Sequence, residues 1–451
     1  MPEKNTNNSE NFSYLNLVIV LILTCLAGFF SLTYFDNPIQ ARATFIAGFC
    51  LILWLSEIVP AYVPTLVLWA LTVLLLGSSS KEFTLTEVLK WSANPVLLLF
   101  FGGFAFGVAA SRYGLDNLMA KLAVKFSGGS RLFLLSLTVL ATAFMSMWMS
   151  NIAAAAMMIA ALHPLTAKLS SENNFRVALL LAITVGANFG GIATPIGTGP
   201  NAIAISALAK TKQITFVEWM SFALPLTIGV LIISTILLVL LYRVKGKFEI
   251  EETIVPTLSH EGKLVVVIFT LTILAWLTEP FHGIPSAVVA LISSAILFGS
   301  NLLSREDLNS IDWGTIALIA GGISLGNLLE QADLISFWAN KISWAGMPLT
   351  TQLFVVCFAS ALLAALMSNT ATVTMLVPFA LTFIPNPSVA VLVAIAASFG
   401  VPFIISTPIN AMVYSEGGIK AKDFFILGFP LMILGCLVLA VTGFYVLSFW
   451  F

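Results

Sequence analysis

The sequence predicts an all-α polytopic membrane protein, with about 11 transmembrane helices plus two re-entrant helical hairpins in two inverted repeats. Three observations support this fold class. Of the 451 residues, 59% are hydrophobic and only 9% are charged, whereas soluble domains carry roughly 25% charged residues. Apolar runs long enough to span a membrane, which takes about 20 helical residues, recur along the whole chain. Several landmarks also occur twice in the same order.

Two segments precede the repeats. Residues 1–14 are polar and carry more acidic than basic residues, so they lack the positive region that begins a secretory signal peptide. We expect them to form a cytoplasmic tail, followed by a first span at 15–42. The formal net charge is −1, so we do not expect nucleic acid as a partner.

The rest of the chain divides into a first repeat at 43–242, a cytoplasmic linker at 243–263 and a second repeat at 264–451. Landmarks of the first repeat recur in the second at offsets of about 213 to 222. Such an internal duplication is typical of secondary transporters. The matched landmarks are Trp54 to Glu57 with Trp276 to Glu279, Gly102-Gly103 with Gly321-Gly322, Ser150-Asn151 with Ser368-Asn369, and Thr194-Pro195-Ile196 with Thr407-Pro408-Ile409.

Each repeat contains one long apolar segment with a polar Ser-Asn at its centre, at about 132–168 and about 350–385. A helical hairpin that enters the bilayer and returns places such a tip near the midplane. With the N-terminus inside, fourteen of the 20 Lys and Arg residues lie on the cytoplasmic side and six outside, as the positive-inside rule requires. The first hairpin then opens to the cytoplasm, the second hairpin opens to the outside, and the C-terminus lies outside.

Two spans are interrupted, one between Ala193 and Asn201 and the other between Ser406 and Asn410. An unwound helix survives in a bilayer only where it lines a cavity or contacts an ion. Its free carbonyls, with Ser, Thr and Asn oxygens, suit Na⁺, and the positive ends of half-helices suit an anion. No Lys or Arg lies in these segments, so dipoles, hydroxyls, amides and nearby cations must bind the anion.

At these residues the chain resembles the divalent anion/sodium symporter family. The resemblance runs from about Ala43 to the end and rests on Ser368-Asn369-Thr370-Ala371-Thr372, on the Gly-Thr-Gly-Pro-Asn stretch at 197–201 and on Thr407 to Asn410. It implies an inner-membrane homodimer in which a mobile transport domain moves against a scaffold like an elevator. It also implies import of dicarboxylates, citrate or sulfate.

The resemblance further implies a set of site residues. One sodium would be held by Ser146, Ser150, Asn151 and Gly197, and a second by Ser368, Asn369 and Ser406. The substrate carboxylates would meet Asn151, Thr198, Asn369, Thr370, Thr407 and Pro408. One position departs from the family pattern, because Ile152 stands where a threonine is usual. A buried anion that lacks one hydrogen bond binds less well by about 1–3 kcal/mol, so we expect weaker dicarboxylate binding, a smaller anion or altered coupling.

The sequence thus favours a transporter that uses inward sodium to take up a small divalent anion, and we expect a C4-dicarboxylate such as succinate. A dicarboxylate exchanger or a sulfate transporter has the same visible motifs. A membrane sensor would carry a soluble domain, and a channel would need a continuous wet pore; the sequence favours neither. It has no Walker nucleotide motif and no nucleophile–base arrangement, so we predict that it is not an enzyme.

Overall fold

The computed structural model describes residues 7–56, 58–60, 62–171, 173–209, 211–248, 257–341, 346–443, 445–446 and 448, with side chains from residue 20 onwards except those of 339 and 340. The first six residues of the predicted tail, the landmark Glu57 and residues 249–256 of the predicted linker lie outside the described residues. Within the described part, the elements are helical, apart from one isolated β-bridge between Ser130 and Lys247.

The first half of the chain contains eleven described α-helices. They are α1 (Asn7–Tyr34), α2 (Pro38–Ser56), α3 (Val63–Leu76), α4 (Leu85–Trp91), α5 (Pro95–Arg112), α6 (Leu115–Phe126), α7 (Arg131–Ser146), α8 (Asn151–Thr166), α9 (Asn174–Gly190), α10 (Gly199–Leu208) and α11 (Phe216–Tyr242). A 3₁₀ turn at Gly191–Ala193 follows α9. Helix α1 begins inside the segment predicted as a polar tail.

The second half also contains eleven described α-helices. They are α12 (His260–Leu277), α13 (Glu279–His282), α14 (Ser286–Gly299), α15 (Arg305–Asn309), α16 (Trp313–Gln331), α17 (Leu334–Lys341), α18 (Leu349–Ala364), α19 (Asn369–Phe383), α20 (Ser388–Ala397), α21 (Pro408–Ser415) and α22 (Ala421–Val438). A 3₁₀ turn at Ile404–Ser406 precedes α21, and a π-helical turn at Leu439–Gly443 extends α22.

The two halves follow the same order of elements. Helices α2 to α11 of the first half have counterparts in α12 and α14 to α22 of the second. In both halves two helices meet at a Ser-Asn, α7 with α8 and α18 with α19. Six described helices are long and apolar enough to cross a membrane: Pro38–Ser56, Pro95–Arg112, Asn174–Ala193, Phe216–Tyr242, His260–Leu277 and Ala421–Gly443.

The two helices that lead into the breaks form the centre of the molecule. Every residue of α20 is buried, and so is every residue of α9 from Phe175 to Gly190. The backbone at the end of each helix packs closely against its hairpin. A Cβ on Gly190 would lie 2.4 Å from the Ala143 carbonyl oxygen, and one on Gly400, just after α20, would lie 2.6 Å from that of Ala361. The hairpin tips and the breaks are therefore held together at mid-molecule.

Candidate functional site

A cavity of about 570 Å³, here called the central cavity, lies where both hairpin tips meet both breaks. Its volume is in the range of small-molecule sites. All but one of the residues that the sequence predicts to bind sodium or substrate line it. The lining residues from that set are Ser150, Asn151, Gly197, Thr198, Ser368, Asn369, Thr370, Ser406, Thr407 and Pro408. The exception is Ser146, which is fully buried beside the cavity.

Four helices begin at the central cavity. Helices α8, α10, α19 and α21 start directly after Ser150, Thr198, Ser368 and Thr407, and each of these capping residues lines the cavity. A helix N-terminus carries free N–H groups and about half a positive charge. Four such ends around one cavity make it attractive to an anion.

The capping hydroxyls differ in what they already bind. Ser150 accepts a hydrogen bond from the Ala153 amide, and Thr407 accepts one from the Asn410 amide. Thr407 also donates its only hydroxyl hydrogen to Asn410 Oδ1 at 3.0 Å, so its side chain has no hydrogen left for a substrate. Accepting a hydrogen bond leaves the hydroxyl hydrogen of Ser150 free, and Thr198 and Ser368 make no capping hydrogen bond, so these three hydroxyls remain to donate into the cavity.

Oxygen atoms cluster beside the first hairpin tip. Ser146 Oγ lies 2.7 Å from Asn151 Oδ1 and 2.6 Å from the Ala187 carbonyl oxygen, although a hydroxyl has only one hydrogen to donate. A Cβ on Gly191 would lie 2.7 Å from both Asn151 Oδ1 and the Gly197 carbonyl oxygen. The bare glycine thus leaves a small space between oxygens, which fits a sodium ion.

The second hairpin tip offers fewer oxygens. Asn369 Oδ1 is buried and has no hydrogen-bond partner among the described residues. Buried polar atoms are rarely left unpaired, so this oxygen is available to a cation. Ser406 is buried nearby in the second break, where its Oγ accepts a hydrogen bond from the Phe403 amide at 2.9 Å. The residues at both tips therefore fit sodium, with more oxygens converging at the first.

A buried asparagine holds each break in shape. Asn201 Nδ2 lies within hydrogen-bonding distance of the carbonyl oxygens of Gly191 (3.0 Å), Ile192 (3.4 Å) and Thr194 (2.8 Å), which are ten, nine and seven residues earlier. Asn410 Nδ2 donates to those of Val401 (3.0 Å) and Phe403 (2.7 Å), nine and seven residues earlier. The two asparagines replace the helical hydrogen bonds that the unwound segments lack.

These clamps fix the repeat register at the breaks. The sequence match pairs the stretch from Thr194-Pro195-Ile196 through Asn201 with the shorter stretch Thr407-Pro408-Ile409-Asn410, and the shared Thr-Pro-Ile letters give an offset of 213. In the structure Thr198 and Thr407 are the equivalent residues, because each caps a helix three residues before the clamping asparagine. The offset at the breaks is therefore 209 rather than 213. The shared Thr-Pro-Ile letters do not mark equivalent backbone positions.

The charges around the central cavity are unusual for an anion site. Among the described residues that line it there is no Lys, Arg or His, and the one ionisable residue is the acidic Asp312. Asp312 caps α16, where it accepts hydrogen bonds from the Thr315 amide at 2.9 Å and the Thr315 hydroxyl at 2.6 Å. Positive charge for a bound anion must therefore come from helix ends or from cations bound with it.

Sequence reasoning missed several residues at this site. The Ala187 carbonyl acts through the backbone and leaves no side-chain signal. Asn188 lines the cavity from α9, and its Nδ2 lies 3.5 Å from Asn410 Oδ1. In the sequence, Asp312 looks like any other polar residue that precedes a membrane-spanning helix, so nothing marks it as part of the site. Gly191 was detectable in principle, because a Gly-Gly pair directly before a Pro/Gly-rich break often marks close backbone contact.

Comparisons with known proteins agree with this architecture. The profile of the sodium:sulfate symporter transmembrane region matches residues 11–450. A sodium-dependent dicarboxylate transporter, SdcS, of Staphylococcus saprophyticus is 27% identical over 98% of this chain and 93% of its own length. The yeast inorganic phosphate transporter PHO87 is 29% identical over 67% of this chain, which corresponds to 34% of that longer protein.

The fold also matches a solved structure, that of the Alcanivorax borkumensis YdaH transporter. The two share 15% sequence identity with a TM-score of 0.52, over 80% of this chain and 86% of the other. The predicted fold class of an all-α polytopic membrane protein is thereby confirmed. With a family match along almost its entire length, this chain belongs to the sodium:sulfate symporter family, and it is a multi-pass membrane transporter rather than an enzyme.

Proposed function

We propose that the protein takes up a small divalent anion, a C4-dicarboxylate such as succinate, driven by inward sodium. The observation that carries this proposal is the convergence of four helix N-termini on a cavity whose described lining has hydroxyls and amides but no basic side chain. The anion would lie between Asn151, Thr198, Asn369 and Thr370, with the backbone at Thr407 and Pro408. The SdcS relative, a sodium-dependent dicarboxylate transporter, is consistent with this substrate.

Sodium would supply the missing positive charge. One ion fits the oxygens of Ser146, Ser150, Asn151 and Gly197, to which the structure adds the Ala187 carbonyl. A second fits those of Ser368, Asn369 and Ser406. Opposite unit charges 5 Å apart attract by about 3 kcal/mol at an effective dielectric constant of 20. Two sodium ions would thus raise the affinity for a dianion steeply, which makes binding, and hence transport, depend on sodium.

Proteoliposome uptake tests this proposal. Radiolabelled succinate uptake would be measured with an inward sodium gradient, with potassium in its place, and with unlabelled succinate preloaded inside. We expect uptake that requires external sodium. Uptake that ignores sodium and requires internal succinate would show an exchanger instead, and the absence of succinate uptake under every condition would contradict the proposed substrate.

A smaller inorganic anion is the second candidate. Ile152 lines the central cavity and is 46% exposed there, so an apolar side chain stands where a hydroxyl would bind a second carboxylate. The family name refers to sulfate, and one relative is named as a phosphate transporter. Sulfate and phosphate, each added in tenfold excess, would compete with succinate if this alternative is right.

We also propose a homodimer in the inner membrane, with the N-terminus in the cytoplasm and the C-terminus outside. The excess of Lys and Arg in the loops assigned to the cytoplasm supports this orientation. An alkaline phosphatase fused to the C-terminus should be active, because that enzyme matures only outside the cytoplasm, and an N-terminal fusion should be inactive. The opposite pattern would reverse the orientation.

A further inference from the structure

A buried arginine that does not line the central cavity joins two of the helices that begin there. Arg176, in the first turn of α9, is only 7% exposed. Its Nε donates to the carbonyl of Thr166, the last residue of α8, at 3.1 Å. Its Nη2 donates to the Glu416 carbonyl at 2.6 Å and its Nη1 to the Gly417 carbonyl, both just after α21. One guanidinium therefore connects the C-terminal ends of α8 and α21, a contact here called the Arg176 link.

Helices α8 and α21 come from different repeats, but both begin at the central cavity. Helix α8 starts directly after Ser150, a proposed sodium ligand, and α21 starts directly after Thr407, whose backbone is proposed to meet the anion. An open cleft of about 510 Å³ lies between the two helices, with His163 of α8 and Met412 of α21 among the residues that line it. Direct packing between them is thus incomplete, and the Arg176 link holds their far ends together.

Helix α9 contacts α21 at both of its ends. Near the central cavity, Asn188 Nδ2 lies 3.5 Å from Asn410 Oδ1. Arg176 lies twelve residues earlier, about 18 Å along the helix, and holds the chain that follows α21. A cation suits this place, because the C-terminal end of a helix carries about half a negative charge and carbonyls without helical donors. The buried α9 therefore fixes α21 to α8 along its length.

The chain after α21 is shaped to reach Arg176. Gly417 and Gly418 have φ angles of +77° and +83°, which glycine adopts more readily than other residues. A Cβ on Gly418 would collide with the Ser171 carbonyl oxygen and lie 2.8 Å from Arg176 Nη1, whereas a Cβ on Gly417 would meet nothing within 4 Å. Helix α20, the counterpart of α9, contains no charged residue, so the second repeat has no equivalent of Arg176.

We propose that Arg176 is a positioning residue that couples sodium to the anion, because it keeps the first hairpin tip and the start of α21 at a fixed separation. This step rests on the proposed function. At an effective dielectric constant of 20, moving opposite unit charges from about 5 Å to about 7 Å apart weakens binding about fivefold. Without the Arg176 link, α8 and α21 move independently, the bound ions lie further apart, and sodium adds less to the affinity for the anion.

Equilibrium binding of radiolabelled succinate to the full-length protein in detergent tests this coupling. The dissociation constant would be measured at low and at saturating sodium, with choline keeping the ionic strength constant. The ratio of the two constants, here called the coupling ratio, measures how much sodium strengthens succinate binding. We expect Arg176→Gln to reduce the coupling ratio at least fivefold.

Two glycine variants test the link from its other side, since replacing a buried arginine can prevent folding. Gly418→Ala pushes the chain after α21 away from Arg176 and should also reduce the coupling ratio at least fivefold. Gly417→Ala imposes the same left-handed backbone strain without the collision, and should leave the ratio unchanged. Thermal unfolding of each variant separates coupling from stability, because a purely structural role for Arg176 would lower stability without changing the ratio.

The proposal is overturned if Arg176→Gln, or Gly418→Ala where the arginine variant does not fold, keeps the coupling ratio of the unmodified protein. It is also overturned if Gly417→Ala lowers the ratio as much as Gly418→Ala. If neither succinate, sulfate nor phosphate binds to the unmodified protein in sodium, the proposed function fails.

Hydrogen–deuterium exchange then decides the role of Arg176 without an anion. Sodium should slow exchange at residues 412–417 in the unmodified protein and in Gly417→Ala, but not in Gly418→Ala, because only the first two transmit order from the hairpin tip to α21. The same effect of sodium in all three proteins would overturn the proposal.

Discussion

At the scale of single residues, the two repeats differ at two matched positions of the site. At an offset of 218, Ile152 corresponds to Thr370, and Ser146 corresponds to Ala364. The first repeat therefore has a hydroxyl in its buried oxygen cluster and an apolar side chain facing the cavity, and the second repeat has the reverse. We infer that the first tip is specialised for the cation and the second for the anion.

Restoring a hydroxyl at position 152 should strengthen substrate binding. The Ile152 side chain faces the central cavity, and a hydrogen bond to a charged group contributes about 1.5–3 kcal/mol. In Ile152→Thr we expect the KM for succinate to fall at least fivefold in sodium-driven uptake. Ile152→Val is the matched control, because valine has the shape of threonine but no hydroxyl, and the KM of this variant should not fall. Equal KM values in the two variants would contradict the assignment of Ile152 to the substrate.

Much of this site could be predicted from residue types. A Ser-Asn in the middle of an apolar run, or a Pro and Gly cluster inside a span, has few roles in a membrane other than to line a cavity. The occupied Thr407 hydroxyl could not be predicted, because it depends on the Asn410 rotamer. The Ala187 carbonyl and Asp312 could not be predicted either, because their importance comes from distant segments folding against them.

At the scale of elements, each break is a short unwound segment held by one asparagine. The order of helices follows from apolar run length, and the sequence predicts it well. The register of the breaks does not follow from it, because the position of each break is set by hydrogen bonds from Asn201 and Asn410 to carbonyls seven and nine residues earlier. Short helices such as α4 and α15 are also hard to predict, since they are neither spans nor loops.

A methyl group at Gly191 should weaken sodium binding. It would lie 2.7 Å from both Asn151 Oδ1 and the Gly197 carbonyl oxygen, in the space proposed for the ion. In Gly191→Ala we expect the sodium concentration for half-maximal uptake to rise at least tenfold. Gly229→Ala is the control, because a Cβ there meets nothing within 4 Å. An unchanged sodium dependence in Gly191→Ala would exclude the first proposed sodium site.

An ion pair joins α15 to the end of α5. Arg112 contacts Asp307, whose carboxylate also accepts hydrogen bonds from the Ser304 amide at 2.6 Å and hydroxyl at 2.7 Å. Partial burial by itself raises the pKa of Asp307, but the Ser304 hydrogen bonds and the Arg112 charge outweigh it and hold the pKa below its ordinary value. Asp307 therefore adds stability that is present above its unfolded pKa of about 3.9 and is lost as the pH falls through the lower folded value.

We expect Asp307→Asn to lower the free energy of unfolding by about 1 kcal/mol at pH 7, since Arg112 then lacks a charged partner. The difference from the unmodified protein should begin to shrink below about pH 4, where the carboxylate of the unfolded chain takes up its proton, and should be smallest below the lower pKa of the folded state. Thermal unfolding in detergent at pH 7 and at acid pH measures both effects. A difference that stays constant across this pH range would show that the charge of Asp307 is not the cause.

At the scale of the whole molecule, two cavities lie at opposite ends of α16. The central cavity includes Asp312 and Thr315, at the start of this helix. A second polar cavity of about 640 Å³, here called the vestibule, includes Gly326, Asn327 and Glu330, near its end. Alternating access requires the site to face each side of the membrane in turn. A movement of the second hairpin along α16 would carry the site from one cavity toward the other.

Cysteine pairs can follow that movement. A Cβ on Gly322 would lie 3.3 Å from Thr374 Cβ, so Gly322→Cys with Thr374→Cys should form a disulfide in the present arrangement. Gly326 lies four residues further on the same face, about 6 Å along the helix, which is too far for a disulfide unless the hairpin moves. In a Cys25→Ser background, we expect Gly326→Cys with Thr374→Cys to form a disulfide only in vesicles that contain sodium and substrate.

Each disulfide should trap one state of the cycle. We therefore expect oxidation of either pair to reduce succinate uptake at least tenfold, and a reductant to restore it, because the hairpin is then free to move again. The single-cysteine variants, oxidised in the same way, should keep their uptake. If only the Gly322 pair forms during turnover, and uptake continues at the full rate once it has formed, the hairpin does not move along α16. The site would then be exposed to each side of the membrane in turn by local opening of the hairpin tips, without movement of the hairpin relative to the rest of the protein.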